Sequence, residues 1–310
     1  MRNLRKWIAL LLTAAMLLSF ASLALAAEAT PETPFDDSRF FTTGDYTLHY
    51  RLFQADDEKD RVLLIHGFAL SSYCFEGLAK ALQAAGYTAV IVDLPDFGYS
   101  TRETETTATL PREDLMHALM QSLGGGKWVV GGHSMGGYVA IAVAQKYPDD
   151  VSNLLLFGTS GNDGAPEIAR TMMTNAASVK LLGKMMTLFS RMKPLVQLLL
   201  IAATGDLMFS LRYDLTKITD PYKIEGTGEG VVRNFAQIPE TDYESFRTLA
   251  PVFYLNAEND RVIQKSAIEK LRGYLPEGST DLTLADGGHL FIESRLSETA
   301  RLTLAFLNAR

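Results

Sequence analysis

Short apolar runs recur along the chain and alternate with stretches of helical period. The segment 46–53 (YTLHYRLF) alternates apolar and polar positions, the pattern of a strand covered on one face. The runs 62–65, 88–92, 128–131, 154–157 and 252–255 are almost wholly apolar, as strands buried on both faces are, and 281–284 reads as a further strand. Helical spacing predicts helices over 72–85, 111–122, 138–144, 266–274 and 297–307. Pro111 marks a helix start, and Gly124-Gly125-Gly126 follows its end. Strands and helices in this rhythm predict an α/β fold built on a parallel sheet. The rhythm breaks at Gly158-Thr159-Ser160-Gly161, after which helical stretches run without a clear buried strand. A core of residues 40–161 and 241–310, interrupted by a helical cap over 162–240, is the expected organisation.

The N-terminus has a different pattern. Arg2, Arg5 and Lys6 precede an uncharged run over 7–27 that contains Ala24-Leu25-Ala26, a small-x-small cleavage signature. Residues 1–26 therefore read as a secretory signal peptide, with an uncleaved membrane anchor as the alternative. Either reading exports the domain, to the periplasm or medium or tethered at the membrane. Residues 27–39, rich in Pro, Thr and acid, read as a solvated linker.

Composition narrows the partners. A chain of 310 residues with 47% hydrophobic content can bury one sizeable core. The formal net charge of −7 and the lack of a basic run argue against a nucleic-acid partner. Cys74 is the single cysteine, which excludes an internal disulfide and a thiolate metal cluster and reads as a small buried residue.

The most informative stretch is Gly132-His133-Ser134-Met135-Gly136-Gly137, set between the 128–131 strand and the 138–144 helix. A G-x-S-x-G turn in that context presents its serine on a tight strand-to-helix corner. Amide groups at the helix start favour developing negative charge, which makes the Met135 N–H a candidate oxyanion donor. Serine needs a base and the base an orienting group. His289, in the glycine-rich loop Asp286-Gly287-Gly288-His289 after the last strand, is the sole histidine that follows Ser134. His133 reads as packing beneath the turn, and His49 and His117 are given no role. Asp260 and Glu258, both in the loop after the 252–255 strand, compete as the acid, since loops at strand carboxyl ends build the site of an open α/β sheet.

Together His66-Gly67-Phe68, the loop 93–100 (DLPDFGYS), the serine turn, Ala257-Glu258-Asn259-Asp260 and Gly288-His289 resemble the α/β-hydrolase superfamily over roughly residues 40–310. The resemblance implies a mostly parallel eight-stranded sheet flanked by helices, with a helical cap inserted after the sixth strand. It favours Asp260 over Glu258 as the acid and adds the Phe68 amide as second oxyanion donor. Two departures stand out. Relatives often carry glycine where this chain has Asp96 and Ala257, so Asp96 is expected to place a charge near the pocket mouth, and Ala257 bears on the loop geometry around Asp260. A serine at the elbow argues against dehalogenase and epoxide-hydrolase activity, which use aspartate there. Acyl transfer to water through Ser134, His289 and Asp260 is the expected reaction, with no metal or organic cofactor required.

The cap is expected to set the substrate. Six of the eleven methionines lie in it, and Met172, Met185 and Met186 are the candidate pocket residues for a hydrophobic ester. The same resemblance leaves open a C–C bond hydrolase, a peptidase and a non-catalytic ligand-binding role. Between 168 and 205 the chain holds Arg170, Lys180, Lys184, Arg191 and Lys193 and no acid, a composition that suits peripheral contact with an anionic membrane. Oligomeric state is not legible.

Overall fold

The computed structural model describes residues 34–104, 107, 109–164 and 166–310. The signal or anchor segment 1–26 and linker residues 27–33 lie outside the described residues. The strands are β1 (Ser38–Thr43), β2 (Tyr46–Phe53), β3 (Asp60–Ile65), β4 (Tyr87–Val92), β5 (Trp128–His133), β6 (Val151–Phe157), β7 (Val252–Ala257) and β8 (Thr280–Leu284). They form one eight-stranded sheet in the order β1-β2-β4-β3-β5-β6-β7-β8. From β4 to β8 every neighbouring pair is parallel, and β2 runs antiparallel to both β1 and β4. The linker expectation ends too late: β1 begins at Ser38, and the Asp37 carboxylate accepts hydrogen bonds from Arg51 at 2.6 and 2.9 Å.

The apolar strands are covered on both faces, as their composition requires. Because side chains alternate along a strand, Leu63, Ile65, Val90 and Val130 face one layer while Val62, Leu64, Ile91 and Val129 face the other. Helices α1 (Glu76–Ala84), α2 (Arg112–Ser122) and α3 (Met135–Lys146) belong to the first half of the core. The cap follows β6 and comprises α4 (Glu167–Thr174), α5 (Ala176–Arg191), α6 (Lys193–Thr204), α7 (Leu207–Arg212), α8 (Thr216–Thr219) and α9 (Thr227–Asn234). The chain returns through α10 (Tyr243–Phe246) to β7, then α11 (Lys265–Arg272), β8, α12 (Phe291–Ser294) and α13 (Leu296–Leu307). Leu115, Val139 and Leu271 of α2, α3 and α11 pack on the first layer, and Leu78, Leu82 and Phe306 of α1 and α13 on the second.

Hydrogen bonds from both sides fasten the cap to the core. The Arg102 guanidinium donates to Thr227 Oγ1 at 2.7 Å, and Asn234 Nδ2 donates to the Pro95 carbonyl at 3.2 Å. Both contacts join the loop after β4 to α9.

Candidate active site

Strand β5 lies between β3 and β6, and Ser134 stands at its carboxyl end. Ser134 has φ 52° and ψ −120°, a conformation that L-residues rarely hold without support. Its amide donates to the Phe157 carbonyl at 3.0 Å, and its own carbonyl accepts from Thr159 Oγ1 at 2.7 Å and from the Gly137 amide at 2.9 Å. The glycines are sterically required: a Cβ at Gly132 would collide with the Gly136 carbonyl, and one at Gly136 with the Ile65 and His66 carbonyls. The serine hydroxyl makes no hydrogen bond among the described residues and opens into a cavity.

The structure brings the predicted base and one predicted acid together. His289 Nδ1 is 2.8 Å from Asp260 Oδ2, and both residues are buried. Asp260 Oδ1 accepts from the Val262 and Ile263 amides at 2.8 and 3.1 Å. Burial works to raise the Asp260 pKa, but the His289 contact and these two amides outweigh it and hold the carboxyl below its usual range. Glu258 stands apart, exposed and paired with Lys265 at 2.9 Å. Ala257 is buried at the end of β7, and its carbonyl accepts from the Asp260 amide at 3.2 Å.

His289 sits in a loop whose backbone is held from two directions. The Gly288 amide donates to the Thr204 carbonyl at 2.8 Å and the Leu290 amide to the Ala203 carbonyl at 3.1 Å, both at the end of cap helix α6. His133 Nε2 donates to the His289 carbonyl at 2.9 Å from below. Burial, and then the neighbouring His289, push the His133 pKa down to about 3, so it stays neutral and donates through one ring nitrogen.

The Met135 amide is the first of α3 and has no partner within its helix. Neither it nor the Phe68 amide donates to a backbone carbonyl among the described residues. The loop carrying Phe68 is set by His66, whose Nδ1 donates to the Gly67 carbonyl at 2.7 Å while Nε2 accepts from the Leu94 amide at 3.1 Å. Burial lowers the His66 pKa, which keeps this two-sided pattern in place.

Above Ser134 lies a cavity of about 340 Å³. Phe68, Ser134 and His289 line its floor, while Met186, Phe189, Val196, Leu200, Ile218 and Tyr222 of the cap line its roof. Among the described residues no lysine, arginine or carboxylate borders it. A larger cavity of about 670 Å³, beside Tyr73, Tyr213 and Glu293, contains none of Ser134, Asp260 and His289. Among the described residues no cluster of three or more His, Cys, Asp or Glu could hold a metal ion.

A model of the alpha/beta hydrolase fold matches residues 60–296. The chain belongs to the α/β-hydrolase family. The hydrolase is 27% identical over 267 residues to Lipase 1 of Psychrobacter immobilis, covering 79% of this chain and 76% of that protein. It is 32% identical over 114 residues to a 2-hydroxy-6-oxononadienedioate/2-hydroxy-6-oxononatrienedioate hydrolase of Burkholderia vietnamiensis, covering 34% of this chain and 38% of that protein. In structure it resembles a thermophilic esterase from Thermogutta terrifontis, with a TM-score of 0.68, 22% identity, and coverage of 88% of this chain and 98% of that one. That likeness speaks for the fold.

Three expectations need correction. Met186 lines the cavity, but Met172 lies on α4 with half its surface exposed, and the half-buried Met185 does not border the cavity. Asp96 places no charge at the pocket mouth. It is fully buried, accepts from the Glu103 amide at 2.8 Å, and lies 3.7 Å from the Arg112 guanidinium. Burial and then the nearby Glu103 charge push its pKa up to about 6. Arg112 in turn donates to both Glu103 oxygens and to Gln237, so the network ties the loop after β4 to the return from the cap.

Sequence reasoning gave no role to His49, which bonds the buried Asp93 at 2.8 Å, or to His117, which stacks on Tyr147. It also missed the holding roles of Thr159 and of the Ala203 and Thr204 carbonyls. Backbone acceptors leave no mark in a sequence, and a threonine after a strand is too common to single out. Cys74 is buried as expected, and burial raises its thiol pKa well above the usual value.

Proposed function

We propose that the protein hydrolyses carboxylic esters with a hydrophobic acyl or alkyl group. Ser134 Oγ attacks the ester carbonyl carbon while His289 Nε2 takes its proton, and the Phe68 and Met135 amides receive the oxyanion. Collapse expels the alcohol, which leaves with the proton from His289. Water then repeats the sequence on the acyl-enzyme and releases the acid. Asp260 keeps the His289 proton on Nδ1, so that Nε2 faces the serine as an acceptor.

The observation that carries this reading is the seating of Ser134 and the Asp260-bonded His289 on the floor of one apolar cavity. A volume of about 340 Å³ lies near the lower end of small-molecule sites, which favours short to medium acyl chains. The resemblance to Lipase 1 supports an ester substrate. A dioate substrate, as named for the C–C bond hydrolase relative, carries two carboxylates, and among the described residues the cavity lining offers no lysine or arginine to meet them. Turnover across p-nitrophenyl esters from acetate to dodecanoate tests the reading. The expected result is hydrolysis with a maximum at short to medium chains; hydrolysis of none, together with cleavage of a vinylogous diketone, would transfer the protein to the C–C class.

The basic start and uncharged run of residues 1–27 support export of the enzyme, by cleavage after Ala26 or as an anchored form. N-terminal sequencing of protein recovered from the cell envelope and medium distinguishes the two.

A further inference from the structure

Helix α6 is amphipathic in an unusual sense. Val196, Leu200 and Thr204 face inward, while Leu195, Leu198, Leu199 and Ala202, spaced at i, i+3, i+4 and i+7, form its outer stripe with no polar member. Leu207, Met208 and Leu211 of the adjoining α7 continue the surface. Leu198, Leu199, Leu207, Met208 and Leu211 each expose more than half of their side chains. Single exposed leucines are ordinary, but four leucines and a methionine on two successive helices make an exposed apolar surface of the kind that marks an interaction site.

Two observations say what covers it. The first is charge. Arg191 and Lys193 flank the start of α6, Arg212 ends α7, and Lys180 and Lys184 lie exposed on α5, while the whole chain carries a net charge of −7. Lys180, Lys184 and Arg191 form no ion pair among the described residues, and Asp206, the acid between α6 and α7, is engaged by Arg295 at 2.8 Å. A second copy on this face would bring two sets of these cations together, whereas an anionic lipid surface complements them. The second is the cavity. Leu199 and Val262 line it and are also exposed, and Leu199 belongs to the outer face of α6, so the mouth opens at the edge of that face.

We propose that the outer face of α6 and α7 docks on an anionic lipid bilayer, placing the mouth of the Ser134 cavity at the lipid surface. The helices lie on the membrane rather than cross it: α5 and α6 meet at 90°, and no single helix among the described residues is long and apolar enough to span. The docking stands independently of catalysis, and only the delivery of an ester into the cavity rests on the function proposed above.

The test uses the full-length Ser134→Ala chain, so that turnover plays no part, with an environment-sensitive fluorophore on Leu198→Cys. Cys74 is buried and remains unlabelled. A second protein carries the label at exposed Ser297 on α13, as Ser297→Cys. Both retain the N-terminal segment, so a difference between them reports the cap. Vesicles of phosphatidylcholine with phosphatidylglycerol should shift the emission of the 198 label to the blue and leave the 297 label unchanged, with the shift fading as salt rises through the screening range. Adding Lys184→Gln, Arg191→Gln and Lys193→Gln should raise the lipid needed by about tenfold or more. No shift at 198, an equal shift at 297, or an equal and salt-insensitive shift with pure phosphatidylcholine would overturn the proposal. A shift that grows with protein concentration in lipid-free buffer would assign the face to a second copy and overturn it likewise. Hydrolysis of a soluble short-chain ester by the otherwise unchanged enzyme reports separately on the function.

Discussion

Replacing Asp260 by Asn isolates the orienting carboxylate with little other disturbance. Oδ1 accepts from the Val262 and Ile263 amides, and an asparagine oxygen in the same place preserves both bonds. What changes is the group 2.8 Å from His289 Nδ1, which becomes an NH₂ donor. A donor there requires Nδ1 to accept, moving the ring proton to Nε2, the nitrogen that the proposed mechanism needs as the acceptor of the Ser134 proton. The expected loss in kcat is about 10³ to 10⁴, on the order of 4 to 5.5 kcal/mol of transition-state stabilisation. KM should change little, because Asp260 does not line the cavity. Glu258→Gln is the matched control: its carboxylate is exposed and bonded to Lys265, and its loss should alter kcat by less than about twofold. Steady-state turnover of a p-nitrophenyl ester, with thermal melts to establish folding, decides the matter. A folded Asp260→Asn protein that keeps more than a tenth of wild-type kcat would refute the assignment, and a larger loss from Glu258→Gln would move the acid to that residue.

Two further predictions concern the scaffold. Glu293 borders the larger cavity and accepts from the Tyr213 hydroxyl at 3.2 Å, and burial raises its pKa from 4.5 to about 8. Its folded-state pKa is raised, so its contribution is fully present below about pH 4.5 and is lost as pH rises through about 8. The full shift corresponds to on the order of 5 kcal/mol, but residual exposure along the cavity reduces the expected effect to about 1–2 kcal/mol. Glu293→Gln should therefore gain in melting temperature over wild type as pH rises from 5 to 8, and parallel pH profiles would contradict the burial argument. Gly132→Ala places a methyl against the Gly136 carbonyl and should cost about 3 kcal/mol or prevent folding; unfolding by urea measures it, and an unchanged midpoint would mean the turn is looser than described.

The sheet was legible because strands buried on both faces must be apolar throughout, so β3, β4, β5, β6 and β7 stand out against the helical periods around them. Strand β1 was not, since Ser38–Thr43 lies on the sheet edge with exposed and half-buried side chains in equal number, none of them buried, and carries no burial signal. The serine turn announced itself because its glycines answer a steric demand that few other turns make. His289 and Asp260 could be found by their loops, but which oxygen meets which nitrogen depends on a contact 29 residues apart in the chain. In the cap, composition pointed to an apolar pocket without saying which methionine faces it. Met172 and Met186 are alike in sequence, and only the packing of α5 over the core turns Met186 inward. Asp96 was misplaced for a related reason: its nearest cation, Arg112, arrives from a helix after the loop that holds it.

In the proposed reaction Ser134 is the nucleophile of a hydrolytic acyl transfer. Incubating the full-length protein with a fluorophosphonate, and mapping the product by peptide mass, tests it most directly. One adduct is expected, on the peptide that carries Ser134, with esterase turnover falling in proportion to labelling and with neither adduct nor turnover in the folded Ser134→Ala protein. An adduct at another serine that accompanies the loss of activity, or turnover that persists when Ser134 is fully modified, would contradict it.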